Sequence, residues 1–171
     1  MVKLTSEFIN RLGRYTKDND EISFYHTGSG IEFLTTSSDV YLEVESFFEE
    51  SAQEIWLTVE VDGSLIQRIN LLPGVSTICA FRKVSTDKAR KVRILRESQL
   101  DTYSEYNGLT FKNLYSKDEG DIKLLPLPSH KLSIDFIGDS LTSGEGLNGT
   151  IGELSFGSAF YGFKNHYACL T

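Results

Sequence analysis

Hydrophobic and polar residues alternate along much of this chain, and the alternation limits the folds that it can adopt. From residue 40 to residue 45, and again from residue 55 to residue 61, every second residue is valine, leucine or isoleucine. A period of two gives a β-strand one buried face and one solvated face, whereas an amphipathic helix needs a period of about 3.6. Because antiparallel sheets packed on one side show this pattern, the sequence predicts a mainly β protein.

Eight segments between residues 21 and 125 have this character, and turn residues separate them. They are Glu21–Tyr25, Ile31–Thr35, Val40–Ser46, Ile55–Val61, Ser64–Leu71, Val75–Phe81, Lys91–Arg96 and Leu109–Leu114. Asp62-Gly63 lies between two of them and favours the two-residue turn of a β-hairpin. Short strands at this spacing predict a β-sandwich of the jelly-roll type. Ahead of them, Thr5–Gly13 has apolar residues at 8, 9 and 12 and predicts one short amphipathic helix.

A proline-rich segment divides the sequence into two parts. Pro126 and Pro128 fix their own φ angles and keep the preceding residues extended, so residues 126–130 are expected to form a linker. Residues 1–125 would then hold the N-terminal helix and the sandwich. Residues 131–171 predict a strand at 131–137, a glycine-rich loop and a helix from about residue 158. That order is typical of the start of an α/β domain, here incomplete.

The charge of the chain argues against nucleic-acid and membrane partners. The chain has 17 lysines and arginines and 24 aspartates and glutamates, which gives a net charge of −7. A phosphate backbone or an anionic lipid surface would repel such a chain on average. The first residues lack the apolar segment of a signal peptide, which fits a cytoplasmic protein or a secreted one with its signal removed. The cysteines and histidines lack metal-ligand spacing, so neither a metal nor another cofactor is expected.

The residues that could carry chemistry follow the predicted strand at 131–137. Gly138 would let the chain turn, the Asp139 side chain would hold the turn through backbone amides, and the hydroxyl of Ser140 would follow directly. A residue directly after a buried strand lies at the carboxyl edge of the sheet, where open α/β folds bind ligands. The Ser140 amide would also donate to a developing oxyanion. An ordinary Gly-Asp-Ser turn remains the alternative for this tripeptide alone.

Phe136–Gly144 resembles the first block of the SGNH, or GDSL-type, hydrolases, and this resemblance implies that Ser140, the serine of Gly-Asp-Ser, is the nucleophile. A second resemblance covers most of the chain and concerns carbohydrate esterase family two, the acetyl xylan esterase-like enzymes. It is carried by Gly13-Arg14, Ser29–Phe33, Val61–Gly63, Lys91–Arg96, the proline linker with its Gly-Asp-Ser, and Asn165–Ala168. The resemblance implies a jelly-roll domain before an SGNH domain that removes acetyl groups from polysaccharides. The chain would thus be the N-terminal part of a serine carbohydrate esterase.

The sequence departs from this family in its general base. The family carries the base histidine late in the chain, in an Asp-x-x-His block, and no such block occurs around His26, His130 or His166. Serine acyl transfer needs a base within hydrogen-bonding distance. These 171 residues are therefore expected to have little esterase activity. The unfinished second part is expected to self-associate, because unpaired strand edges invite pairing with another copy.

A non-enzymatic protein is the competing hypothesis. The sandwich would then bind carbohydrate or dock a partner, and the Gly-Asp-Ser turn would be incidental. Aromatic rings on its polar faces or loops could stack on sugars. The candidate rings are those of Tyr25, Tyr41, Trp56, Tyr103, Tyr106 and Tyr115.

Overall fold

A computed structural model describes residues 2–49, 54–98, 107–128, 132, 134, 136–144, 146–149, 162 and 165–167. The strands in these ranges are β1 (Ile9–Leu12), β2 (Tyr15–Asp18), β3 (Glu21–Phe24), β4 (Gly30–Thr35), β5 (Val40–Phe47), β6 (Ile55–Val61), β7 (Ser64–Leu71), β8 (Gly74–Phe81), β9 (Arg90–Arg96), β10 (Gly108–Tyr115) and β11 (Leu124–Leu125). One helix, α1 (Ser140–Ser143), follows them. It is too short to cross a membrane; elsewhere in the described ranges, helical assignments are limited to Asn165 and Tyr167.

The strands form two antiparallel sheets that share one core. Sheet I has the order β1-β4-β9-β6-β7, with β11 also paired to β4, and sheet II has the order β2-β3-β10-β5-β8. Inward-facing residues of both sheets make one hydrophobic cluster. In it, the rings of Phe24 and Phe111 meet edge to face with centroids 5.0 Å apart. The β-sandwich predicted from the alternation is confirmed.

The strand alternation places hydrophobic residues in the core as expected. Along β5, the residues from Val40 to Ser46 alternate regularly between buried and half-buried. The eight predicted strands correspond to β3 through β10, and each boundary agrees to within about one residue. The Asp62-Gly63 hairpin is confirmed as well, since Val61 pairs with Ser64 and both turn residues have positive φ angles, 52° and 83°. This backbone is typical of a type I′ turn.

The helix predicted at Thr5–Gly13 is wrong. Residues 9–12 form β1, which pairs with β4 so that Ile9 lies opposite Phe33. The apolar positions 8, 9 and 12 span too few residues to distinguish the period of a helix from that of a strand. Hydrogen bonding to β4 makes this segment a strand. Gly13 then ends β1 with φ of 72°, and a Cβ atom there would lie 2.9 Å from Cβ of Ser29.

The strand predicted at 131–137 is not formed at the positions that the structure describes. Residues 132, 134, 136 and 137 carry no strand assignment. A strand is completed by hydrogen bonds to a neighbour, and the described residues place no neighbouring strand there. The helix from about residue 158 lies almost wholly outside the described residues. The predicted domain boundary and the linker at 126–130 remain predictions.

Arg96, at the end of β9, connects the two sheets from inside the core. Its side chain is fully buried. Its guanidinium donates to the carbonyl of Ser98 at 2.8 Å, to the carbonyl of Phe24 at 3.3 Å and to Oδ1 of Asn107 at 2.6 Å. Burial lowers the pKa of Arg96 to about 10, so it remains a cation at neutral pH. A buried cation must be compensated by such bonds, and these run from sheet I to β3 of sheet II.

Replacing Arg96 by methionine should cost about 3–5 kcal/mol of unfolding free energy. The substitution keeps apolar bulk but leaves the buried acceptors on Phe24 and Asn107 without this donor. Urea unfolding measures the change. Arg82→Met removes an exposed arginine and serves as the control, with a change below about 0.5 kcal/mol. Equal effects of the two substitutions would contradict the role assigned to Arg96.

Asp62 should stabilise the hairpin in a way that acid removes. Its carboxylate accepts from Nη1 of Arg90 at 2.8 Å and from the amide of Lys91 at 3.0 Å, and the Arg90 bond lowers the pKa of Asp62. Asp62→Ala should cost about 1–2 kcal/mol, because alanine tolerates positive φ poorly. Asp62→Asn should cost less, since asparagine adopts this conformation readily.

The pH dependence separates the charge of Asp62 from its backbone role. A carboxyl group with a lowered folded-state pKa contributes stability above its unfolded pKa of about 3.9, and that contribution disappears as pH falls through the folded value. The stability difference between the native protein and Asp62→Asn should therefore shrink between pH 6 and pH 2.5 in urea unfolding. A constant difference would rule out the ion pair as its source.

Candidate functional site

The Gly-Asp-Ser residues form a capped turn at the start of α1. Oδ1 of Asp139 accepts a hydrogen bond from the amide of Leu141 at 3.1 Å, and its carbonyl accepts from the amide of Ser143 at 3.1 Å. Asp139 is thus the N-cap, a position that aspartate favours because its carboxylate satisfies a helix amide. Ser140 is the first helical residue. The turn therefore fixes the backbone on which the predicted nucleophile lies.

Gly138 is required here by close packing. A Cβ atom at this position would lie 1.9 Å from Oγ1 and 2.6 Å from Cβ of Thr142. Such distances are far inside van der Waals contact, so no other residue fits unless Thr142 moves. The first turn of α1 thus folds back tightly on the residue that precedes it.

A second segment packs against this turn through Tyr167. Its hydroxyl lies 2.9 Å from Oγ1 of Thr142, and its ring meets Phe136 edge to face with centroids 5.9 Å apart. The amide of Gly162 donates to the carbonyl of Gly144 at 3.0 Å. The Gly-Asp-Ser loop is therefore supported by residues some 20 positions later in the sequence.

The three histidines have different surroundings. His166 is buried, and its ring lies 3.9 Å from that of Tyr167, so it packs beside the segment that supports the loop. The neighbouring Tyr167 contacts Thr142 of α1. His26 is exposed in the turn after β3. His130 lies outside the described residues.

Hydrophobic side chains around the loop are open to solvent. Leu132 is 74% exposed, Ile137 is 91% exposed and Leu141 is 77% exposed. The central strand of an α/β domain is normally covered on both faces. The described residues thus supply the Gly-Asp-Ser turn without the layers that would cover it.

A different region combines aromatic and cationic residues where sheet II begins. Gly13, Arg14, Tyr15, Thr16, Tyr25 and His26 line an open depression with a volume of about 470 Å³. Desolvation, together with the neighbouring cations Arg14 and Arg96, lowers the pKa of His26. Sequence reasoning noted Gly13-Arg14 and Tyr25 separately but did not bring them together. The signal was weak, because only the pairing of β2 with β3 makes them neighbours.

The other candidate rings have partners within the protein. The guanidinium of Arg68 lies over the Trp56 ring, 4.2 Å from its centroid, and also pairs with the carboxylate of Glu97. Burial raises the pKa of Glu97, although the hydrogen bond from Arg68 acts to lower it. Tyr41 stacks on Tyr115 with centroids 5.7 Å apart. These contacts occupy faces that a sugar would need. Tyr103 and Tyr106 lie outside the described residues.

Comparison with solved structures places this architecture among carbohydrate esterases. The acetyl xylan esterase Est2A from the rumen bacterium Butyrivibrio proteoclasticus is 30% identical, with a TM-score of 0.86 over 96% of this chain and 42% of its own. A family two carbohydrate esterase from Clostridium thermocellum, solved with cellohexaose, is 23% identical, with a TM-score of 0.78 over 95% of this chain and 46% of its own. The family two carbohydrate esterase from Cellvibrio japonicus is 21% identical, with the same TM-score, over 99% of this chain and 47% of its own.

The resemblance to carbohydrate esterase family two is therefore confirmed at the level of structure. The chain spans less than half the length of these esterases. No protein-family model and no curated protein sequence matches it.

Gly138→Ala should loosen the Gly-Asp-Ser turn without unfolding the sandwich. The new methyl group collides with Thr142, so the hydrogen bonds that Asp139 makes to α1 should open more often. Hydrogen exchange followed by mass spectrometry should show exchange at least tenfold faster in residues 139–144 and unchanged exchange in β5. Leu141→Ala, which alters an exposed side chain on the same helix, should leave both rates unchanged. Unchanged exchange in Gly138→Ala would contradict the close packing.

Proposed function

We propose that this chain is the N-terminal part of a serine carbohydrate esterase of the SGNH type, in which Ser140 removes acetyl or other acyl groups from polysaccharide. The observation that carries the proposal is the similarity to the acetyl xylan esterase Est2A over 96% of the chain. The capped turn that begins at Gly138 is where that chemistry would take place. A jelly-roll connectivity of the sandwich belongs to the same proposal.

The reaction divides ester hydrolysis into two acyl transfers. The Ser140 hydroxyl attacks the ester carbonyl while a general base takes its proton, and the sugar hydroxyl leaves with that proton. Water then attacks the acyl-enzyme and releases acetate. As the first helical residue of α1, Ser140 presents an amide that can donate to the oxyanion in both steps. This chemistry requires no redox group or other cofactor.

The general base is the part of the proposal that these residues do not supply. His166 packs on Tyr167, and no Asp-x-x-His occurs in the sequence. Without a base, serine is a weak nucleophile at neutral pH. We therefore expect the 171-residue chain to hydrolyse acyl esters poorly until the rest of the α/β layer is present. The exposed side chains of Leu132, Ile137 and Leu141 would contact that layer, or a second copy in its absence.

A non-catalytic sandwich is the second candidate. The Clostridium thermocellum family two carbohydrate esterase, whose fold this chain resembles, was solved in complex with cellohexaose. The depression at Arg14 and Tyr25 is the observation in this chain that favours such a role. Trp56 and Tyr41 favour it less, because their faces are already occupied.

A chimaera tests the catalytic proposal. This chain replaces the aligned part of the Butyrivibrio esterase, and release of acetate from acetylated xylan is measured. We expect activity in the chimaera, a loss of at least about 10³-fold in Ser140→Ala, and no activity in the 171-residue chain alone.

One matched control variant accompanies this test. Ser143→Ala changes a serine in the same helix and should leave the rate within about threefold. A folded chimaera that is inactive, or one whose activity survives Ser140→Ala, would reject Ser140 as the nucleophile.

A further inference from the structure

The depression near Arg14 carries positive charge in an acidic protein. Arg14 lines it, and among the described residues no carboxylate pairs with Arg14, whereas the neighbouring His26 has a lowered pKa and is uncharged at pH 7. The guanidinium of Arg96 lies close enough to influence the titration of His26. The whole chain has a net charge of −7, so a depression lined by an arginine and by no acidic residue differs from the average of the surface. A cationic depression of this kind attracts anions locally.

Two tyrosines make the depression more than an anion site. Tyr15 is 44% exposed, and its ring packs against the buried ring of Phe24, with the two centroids 6.3 Å apart. The hydroxyl of Tyr25 lies 3.5 Å from Oγ1 of Thr16. Tyrosine combines a flat apolar face with a polar hydroxyl, which suits the alternating apolar and hydroxylated surfaces of a sugar ring. The volume of about 470 Å³ falls within the range of about 300–1,000 Å³ that small-molecule sites occupy.

The backbone around the depression is held before any ligand arrives. The guanidinium of Arg96 donates to the carbonyl of Phe24, and the amide of Gly28 donates to the carbonyl of Arg96 at 2.8 Å. The amide of Ser29 donates to the carbonyl of His26 at 3.1 Å. The turn that bears Tyr25 and His26 is thus fixed to the end of β9. Such preorganisation reduces the entropy lost on binding.

We propose that this depression binds an acidic saccharide, with the sugar carboxylate on Arg14 and the sugar ring against Tyr15 or Tyr25. Arginine is suited to this role because its planar guanidinium binds a carboxylate through two parallel hydrogen bonds. The site is separate from Ser140 and performs no chemistry. The choice of a saccharide over other carboxylates rests on the proposed polysaccharide function.

Isothermal titration calorimetry with the full chain tests the proposal. The two probes are a xylotetraose that carries one glucuronic acid and the same xylotetraose without it. We expect the acidic probe to bind at least tenfold more tightly than the neutral one. Arg14→Ala should weaken its binding about tenfold or more, which corresponds to the loss of a charged hydrogen-bond pair. Tyr15→Ala and Tyr25→Ala should each weaken it several-fold.

Matched variants separate this site from general charge and from catalysis. Arg82→Ala removes an exposed arginine beside β8, at the opposite edge of sheet II, and should change binding by less than twofold. Arg14→Lys keeps the charge but loses the two-bond geometry, so its binding should fall between the native protein and Arg14→Ala. Ser140→Ala should bind as the native protein does, whether or not the chimaera is active. Circular dichroism checks that each variant is folded.

Three outcomes would overturn the proposal. Equal affinity for the acidic and neutral probes would show that the sugar carboxylate makes no contact with Arg14. Equal effects of Arg14→Ala and Arg82→Ala would show that only net charge matters. Free glucuronate or sulfate that binds as tightly as the acidic oligosaccharide would reduce the site to a general anion site without a role for the tyrosines.

Discussion

The sandwich depends on a cation placed where a hydrophobic core normally excludes one. Arg96 donates to the carbonyl of Phe24 on β3 and to Asn107 just before β10, so one side chain of sheet I holds two strands of sheet II. Hydrophobic packing alone would allow the sheets to slide, since it has no direction. Hydrogen bonds from a buried guanidinium have direction, and they fix the alignment of the sheets. The turn at His26 is held at the same place, because the backbone amide of Gly28 donates to the backbone carbonyl of Arg96.

The sequence was most informative where one physical rule dominates. Along β5 the period of two predicts which side chains are buried, and Asp62-Gly63 predicts where the chain reverses. Along β6 the period predicts the buried apolar residues but not the burial of Thr58 and Glu60. The sequence was least informative for β1, β2 and β11, which have four, four and two residues. Strands this short carry no readable period, and their conformation is decided by their neighbours. The burial of Arg96 could not be predicted from the sequence either, because it depends on hydrogen-bond acceptors at Phe24 and Asn107 that lie outside its own strand.

The candidate site shows the same division. That Gly138 must be glycine and that Asp139 can cap the turn are local matters, and local sequence is enough to expect them. The support from Tyr167 depends on a contact across 25 residues, which no short motif reports. The depression at Arg14 and His26 is a product of strand pairing, because β2 and β3 bring together residues from two separate turns. The sequence shows the residue types that line the depression, but it does not show that they lie next to one another.

The arrangement of β1 and β11 has a mechanical consequence. Ile9 pairs with Phe33 and Leu125 pairs with Leu34, so the first and last strands lie at adjacent positions on one edge of β4. A tension that pulls on these two strands would be carried by the few hydrogen bonds of that edge. The residues before β1 would resist it at a second place, because the amide of Val2 donates to the carbonyl of Leu114 on sheet II at 3.0 Å and Leu4 is buried in the core.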